Sequence, residues 1–252
     1  MSIRYDCAQR SEEWDRLRLG IPTSSAFHRI VKGGTAYRCP ACRVEYETKR
    51  KKCGECGELV VPFEILKPSA QAEGYMHKLL AEWYFGAPLE DPETQYQSAW
   101  MERGQALEDQ AVKSYEFETG REAEKVGFIS TDDGMIGCSP DRLVGDDGIL
   151  EIKCPSPAIH MGYMLKRSVD SDYWAQIQGQ MLIAGRAWVD IESYCPPFPT
   201  VIIRVPRDDQ YASLLVVQLA EFVHAMIQAR TLIEKTYGPP LRSKEVVTGP
   251  EL

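Results

Sequence analysis

Residues 138–155 read C-S-P-D-R-L-V-G-D-D-G-I-L-E-I-K-C-P, which sets Asp141 ten positions before Glu151 and Glu151 two before Lys153. Ile149, Leu150 and Ile152 suit a strand, and residues two apart project from one side of it, so Glu151 and Lys153 point together. Gly145-Asp146-Asp147-Gly148 is a turn signal that folds the run containing Asp141 back antiparallel. A three- or five-residue loop sets Asp141 opposite Glu151 with Cβ atoms about 5 Å apart; a four-residue loop puts them on opposite faces. Two carboxylates and a lysine gathered at the end of a strand pair can hold Mg²⁺ and prepare a water to attack a phosphodiester. Oxygen ligands suit that hard ion, and paired metals clamp the attacking and leaving oxygens. On a solvated hairpin the same residues are an ordinary charged face. The metal-site reading therefore requires that Asp141 and Glu151 share a face and that the turn is not a simple four-residue loop.

The chain of 252 residues has room for one sizeable α/β domain with a small insertion. A net charge of −8 excludes coating DNA through overall charge, but it does not exclude a local basic groove. No run approaches the roughly 18 apolar residues of a membrane span, and the N-terminus lacks a signal-peptide pattern. The expected compartment is the cytoplasm, with no membrane partner, and Cys7, Cys138, Cys154 and Cys195 are expected to be reduced thiols.

The other four cysteines form Cys39-Pro-Ala-Cys42 and Cys53-Gly-Glu-Cys56, a CxxC-x10-CxxC array. Each CxxC is a knuckle that brings two thiolates to one ion, and Gly54 and Gly57 suit the tight backbone. The pair predicts a structural Zn²⁺ ribbon over 37–58, inserted in a nuclease unit of 1–36 and 59–252, with iron as the competing metal. Four protein ligands leave no open position for chemistry. Arg38, Arg43, Lys49, Arg50, Lys51 and Lys52 make the ribbon locally basic, either to guide DNA or as a solvated loop.

Along the rest of the chain, Ser11 caps a helix that ends near Gly20, and Thr23-Ser24-Ser25 starts a short helix through Ile30 that Gly33-Gly34 stops. Apolar spacing predicts helices over 69–85, 95–118, 170–184 and 208–235, the last ended by Gly238-Pro239-Pro240 before a polar tail. Strands are expected near 125–130, 135–144 and 148–154, and a hairpin at 189–194 and 201–205. This order argues for a mixed sheet flanked by helices. Glu108 lies beside the buried stripe Leu107, Ala111 and Tyr115, where its carboxylate could complete a metal shell. Tyr173, Gln176 and Gln180 form a polar strip that meets either the site or water. Arg18 with the hydroxyls of Thr23, Ser24 and Ser25 makes a phosphate pocket.

Five motifs now stand in order: S-E-E-W-D-R-L-R-L-G-I-P-T-S-S, R-G-Q-A-L-E, S-P-D, L-E-I-K-C-P and Y-W-A-Q-I-Q, spanning most of 11–180. Together they resemble the phage λ-exonuclease type of alkaline exonuclease, or YqaJ-like viral recombinase, of the PD-(D/E)xK nuclease superfamily. The resemblance implies a restriction-endonuclease-like α/β core and Mg²⁺ (two ions, or Mn²⁺) on Glu108, Asp141, Glu151 and the Ile152 carbonyl. It makes Lys153 the residue that positions or deprotonates water, sets Gln176 close by, and places a 5′-phosphate on Arg18 and Ser25. It implies a ring-shaped homotrimer on linear duplex DNA ends, digesting 5′→3′ to leave 3′ overhangs beside a single-strand annealing protein. The ribbon departs from the family's best-known member. Two other readings stay open: a RecB-like or CRISPR-associated nuclease with an iron–sulfur cluster, and a non-catalytic zinc-ribbon adaptor.

Overall fold

The computed structural model describes residues 2–89, 99–169 and 171–241. In chain order the elements are β1 (Ser2–Tyr5), α1 (Glu12–Arg18), a 3₁₀ turn (Ser24–Ala26) running into α2 (Phe27–Ile30), β2 (Val31–Arg38), β3 (Glu45–Tyr46), β4 (Val61–Pro68), α3 (Ala72–Phe85), α4 (Ala99–Thr119), β5 (Ala123–Lys125), β6 (Phe128–Thr131), β7 (Gly137–Cys138), β8 (Arg142–Val144), β9 (Gly148–Lys153), α5 (Pro157–Lys166), α6 (Ser171–Ala184), β10 (Trp188–Ser193), β11 (Val201–Pro206) and α7 (Asp209–Tyr237).

The central sheet has the order β11-β10-β9-β8-β5 and is mixed: β9 and β10 run parallel, and the other pairs are antiparallel. Alternation along β9 divides its side chains between two layers. Ile149 joins Val189, Ile191, Ile177 and Met181 in the core beneath α6, while Leu150 packs with Tyr115 of α4 and Val144 on the opposite face. Glu151 and Lys153 therefore emerge on the α6 side. On the α4 side a buried polar clamp fixes helix to sheet: Tyr115 donates to Asp190 Oδ2 at 2.7 Å, and Arg204 donates to both Asp190 oxygens.

Arg142 pairs with Leu150, Leu143 with Ile149 and Val144 with Gly148, so the connecting loop is the three residues Gly145-Asp146-Asp147. One further step in that register sets Asp141 opposite Glu151, as the metal-site reading requires. Gly145 takes φ +53° in this loop, and Gly148 lies under the Trp188 ring, where an added Cβ would fall 2.1 Å from a ring carbon.

Several boundaries differ from the expectations. The strand expected over 135–144 is two, β7 and β8, because Ser139-Pro140-Asp141 leaves the ladder: proline has no N–H to donate. The strand expected over 125–130 likewise divides into β5, in the central sheet, and β6, which joins β1 and β7 in a separate three-stranded sheet. Gly33 and Gly34 do not stop a helix. They lie inside β2, which pairs along its length with β4 to form an arm whose outer end carries β3 and the cysteines. The helix ends at Ile30, where Val31 turns extended. The start of the helix expected over 95–118, residue 170 and the polar tail beyond 241 lie outside the described residues.

Among the described residues α7 is the one helix whose length and apolar content would suffice to cross a membrane. Its apolar stripe is accounted for by packing, since Leu215, Leu219, Phe222 and Met226 are buried in the central core.

Candidate active site

A cleft of about 1150 Å³ opens at the end of β9, lined by Glu108, Asp141, Ile152, Lys153, Cys154 and Tyr173 among others. Beside the lining residues Ile152 and Lys153, Glu151 is 4% exposed and takes three donors. Lys153 Nζ and Gln176 Nε2 each reach Oε1 at 2.7 Å, and Gln180 Nε2 reaches Oε2 at 2.8 Å. The polar strip of α6 thus meets the site rather than water, and Tyr173 completes it by setting its ring 4.4 Å from Lys153 Nζ. Asp141 Oδ2 accepts from the Ile152 amide at 2.6 Å, a cross-strand bond that holds the carboxylate against β9. Glu108 reaches in from α4 and accepts from Arg142 Nη1 at 2.9 Å.

Burial and the charge of Glu151 push the Asp141 carboxyl up to about 8. Burial alone would lower Lys153, but the charge and hydrogen bond of Glu151, with Asp141 behind them, outweigh it and hold the ammonium above its ordinary pKa. A carboxyl pushed up by burial and by a neighbouring carboxylate's charge, at a cleft, is the electrostatic mark of a site that favours a cation, and carboxylate oxygens suit a hard divalent ion. Among the described residues only the cysteines bring three or more ligand atoms within 4.8 Å. The carboxylates instead point to Arg142, the Ile152 amide and the Lys153–glutamine cage.

Arg142 is a site neighbour that the sequence reading left out, whereas Gln180 and Tyr173 stood in the polar strip that meets either the site or water. Arg142 is 5% exposed and spans the two acids, bonding Glu108 and its neighbour's carbonyl, Asp141 O. The available signal was its place opposite Leu150, on the face that meets α4. Gln180 could be read from its spacing to Gln176, one turn of helix away.

The expected phosphate pocket is a smaller cleft of about 340 Å³, lined by Arg18, Thr23, Ser25, Arg29 and Lys78 among others. Arg18 stacks 4.0 Å over Trp14, one turn earlier on α1, and donates to Ser139 Oγ at 3.1 Å and Thr23 Oγ1 at 3.3 Å. Thr23 Oγ1 lies 3.4 Å from Ser25 Oγ. Burial lowers the Arg18 pKa. The chain here is a 3₁₀ turn followed by a four-residue helix, so anion attraction rests on the guanidinium and hydroxyls more than on a helix dipole. Ser139, which also accepts from Trp14 Nε1 at 2.9 Å, ties this pocket to the loop that carries Asp141.

At the end of the arm the two knuckles match bond for bond. Cys39 N donates to Val44 O and Cys53 N to Glu58 O; Arg43 N returns to Cys39 O and Gly57 N to Cys53 O. The equivalent residues Arg43 and Gly57 take φ +64° and +76°; Gly54 does not, and its amide donates to Tyr46 Oη. Sγ atoms of Cys39 and Cys56, and of Cys42 and Cys53, lie 3.4 Å apart, and Cys42 and Cys56 3.6 Å. A tetrahedral zinc with Zn–S near 2.3 Å needs edges of about 3.8 Å, so a single ion fits the four thiols. Tyr46 Oη, 3.1 Å from Cys53 Sγ, is the main reason that thiol is pulled down to about 6. Of the basic residues, Arg38 pairs with Glu45 and Arg50 stacks on Tyr46. Arg43, Lys49, Lys51 and Lys52 are exposed and have no ion pair among the described residues.

The chain resembles, at 26% identity and TM-score 0.68, the alkaline exonuclease of Laribacter hongkongensis, covering 89% of this chain and 97% of that one. The structure of that enzyme in complex with dAMP matches at 26% identity and TM-score 0.67. A phage-related exonuclease from Haemophilus somnus 129PT matches at 17% identity and TM-score 0.50, over 67% of this chain and 85% of that one, a likeness of fold. No curated protein sequence matches. Residues 13–187 match the YqaJ-like viral recombinase domain, and the chain belongs to that family.

Proposed function

We propose that the protein is a Mg²⁺-dependent exonuclease that enters linear duplex DNA at an end and degrades one strand 5′→3′, leaving 3′ overhangs for recombination. The observation that carries this reading is the convergence of Asp141 and Lys153 in the large cleft with Glu151 bonded to Lys153 behind them, Asp141 lying on a loop that Ser139 joins to the Arg18 pocket. Glu108, Asp141, Glu151 and the Ile152 carbonyl would hold the metal. Bound Mg²⁺ or Mn²⁺, as a pair of ions, supplies Lewis acidity toward the scissile phosphate and acidifies water. Lys153, held by Glu151, orients the attacking water and offsets charge that develops on phosphorus. Gln176 fixes the Glu151 oxygen that Lys153 shares. Attack that breaks the P–O3′ bond frees a mononucleotide and leaves a new 5′-phosphate on the strand, the group that Arg18 and Ser25 are proposed to grip for the next cycle.

The central sheet with its helices would then be a PD-(D/E)xK core over 1–36 and 59–252, with 37–58 an inserted zinc ribbon. A homotrimeric ring and a single-strand annealing partner complete the proposal by resemblance, with the cytoplasm as the proposed compartment. The iron–sulfur reading is less well supported. A multi-iron cluster divides four thiolates among two or four irons, which spreads the sulfurs, whereas here all four lie within 4.8 Å. The intact acid–lysine set weighs against a non-catalytic adaptor.

The test compares 5′-phosphorylated linear duplex, 5′-hydroxyl duplex and closed circles with Mg²⁺. Fast digestion of the first, slower digestion of the second and intact circles are expected. Equal cutting of circles would refute the exonuclease reading.

A further inference from the structure

Beside the large cleft lies a second of about 680 Å³, and the two share Arg10 and Glu108 as lining residues. Arg10 closes the turn Ala8–Ser11, in which Ser11 N donates to Ala8 O at 3.2 Å. Its φ is +65°, a backbone conformation that disfavours any L side chain and for which glycine is the ordinary choice. The turn is fixed to the catalytic loop: Gln9 Nε2 donates to Pro140 O at 2.8 Å, one residue before Asp141, and to Val126 O at 3.1 Å.

Of the other cations lining the two clefts, Lys125 and Lys166 are exposed with no ion pair among the described residues, and three are committed. Arg142 serves Glu108 and Asp109, Lys153 serves Glu151, and Arg4 serves Asp6 and Glu124. Arg10 is exposed and has neither ion pair nor hydrogen bond among the described residues. A long cation held in a strained conformation at the rim of a cleft, with no protein group to bind, lacks a structural explanation. Strain of this kind concentrates where a ligand is gripped.

We infer that Arg10 is a substrate-binding residue that clamps a DNA backbone phosphate at the junction of the two clefts. A guanidinium forks onto phosphate oxygens and carries no base information, so the contact is independent of sequence. The inference rests on the nuclease reading of the site and adds to it a phosphate contact separate from the Arg18 pocket.

Arg10→Gly tests it, because glycine relieves the φ +65° strain while deleting the guanidinium. The variant is expected to melt at the wild-type temperature or above it. Its KM for linear duplex should rise about tenfold, with kcat within about twofold, and Arg10→Lys should recover part of the loss. The slope of log affinity against log salt should become shallower by about one. Wild-type KM and salt slope in Arg10→Gly would overturn the inference. So would a fall in melting temperature that accounts for the activity lost, since Arg10 would then be a structural residue. A wild-type protein that cuts no DNA would remove the nuclease reading itself, and this clamp with it.

Discussion

Gln180→Leu isolates the way α6 holds the Glu151 carboxylate. Gln180 is 1% exposed and supplies the donor to Glu151 Oε2 at 2.8 Å, while Oε1 keeps both Lys153 and Gln176. Leucine fills similar volume but leaves one oxygen of a buried carboxylate without that donor. A hydrogen bond to a charged group contributes about 1.5–3 kcal/mol. The offset is that Gln180 Oε1 is itself buried and unpaired among the described residues, and its removal returns about 1 kcal/mol. The net cost is about 0.5–2 kcal/mol, or about 1–8 °C in melting temperature for a chain of this size. The assay is thermal melting with and without Mg²⁺. A metal that binds Glu151 compensates the stranded oxygen, so the deficit should shrink as Mg²⁺ rises. A variant as stable as wild type would show that Gln180 does not anchor Glu151. A deficit untouched by Mg²⁺ would remove Glu151 from the metal shell.

Asp141 and Glu192 both stand near 8 in the fold, Asp141 through burial and the charge of Glu151, Glu192 through burial alone. Unfolded carboxyls titrate near 4. The fold therefore retains protons that the unfolded chain releases, and stability present below about pH 4 is lost as pH rises toward about 8. In magnesium-free buffer the melting temperature should fall across that window, and a flat profile would contradict the burial argument. Glu192 is fully buried and neither carboxylate oxygen is bonded among the described residues, so Glu192→Gln should raise the melting temperature at pH 8 and flatten the slope. Elemental analysis should find a single zinc per chain, and Cys53→Ser should lower zinc retention and speed hydrogen exchange over 37–58 while leaving the core protected. A brown protein containing iron would contradict the zinc assignment.

Much of this architecture was legible because its signals are local. The turn Gly145–Gly148 and the alternation through Ile149–Lys153 limit the register to alternatives, and the chemistry of Asp141 and Glu151 chooses among them. The CxxC pairs announce their own folding. What escaped depends on distant partners. β2 and β4 make the arm, but Gly33-Gly34 reads locally as a helix stop, and only pairing with Leu66 and Ile65 reveals a strand. β1 is four residues long and finds its partner in β6, more than a hundred residues on. α5 carried a readable signal that went unused, Ser156 before Pro157 at the first helical position. The strip Tyr173, Gln176 and Gln180 could be placed on one face of a helix, but whether that face met water or Glu151 was a tertiary fact. Arg142 sat unremarked between Asp141 and the turn because its role appears only when α4 brings Glu108 over the sheet.

The most direct test of the central claim follows duplex DNA labelled at one 5′ end, incubated with Mg²⁺ and either wild type or Lys153→Ala, each shown by melting to be folded. Wild type should release labelled mononucleotide from the 5′ end, and Lys153→Ala should release almost none. Comparable release by the folded variant, or shortening of the labelled strand from its 3′ end with the 5′ label retained, would contradict the account.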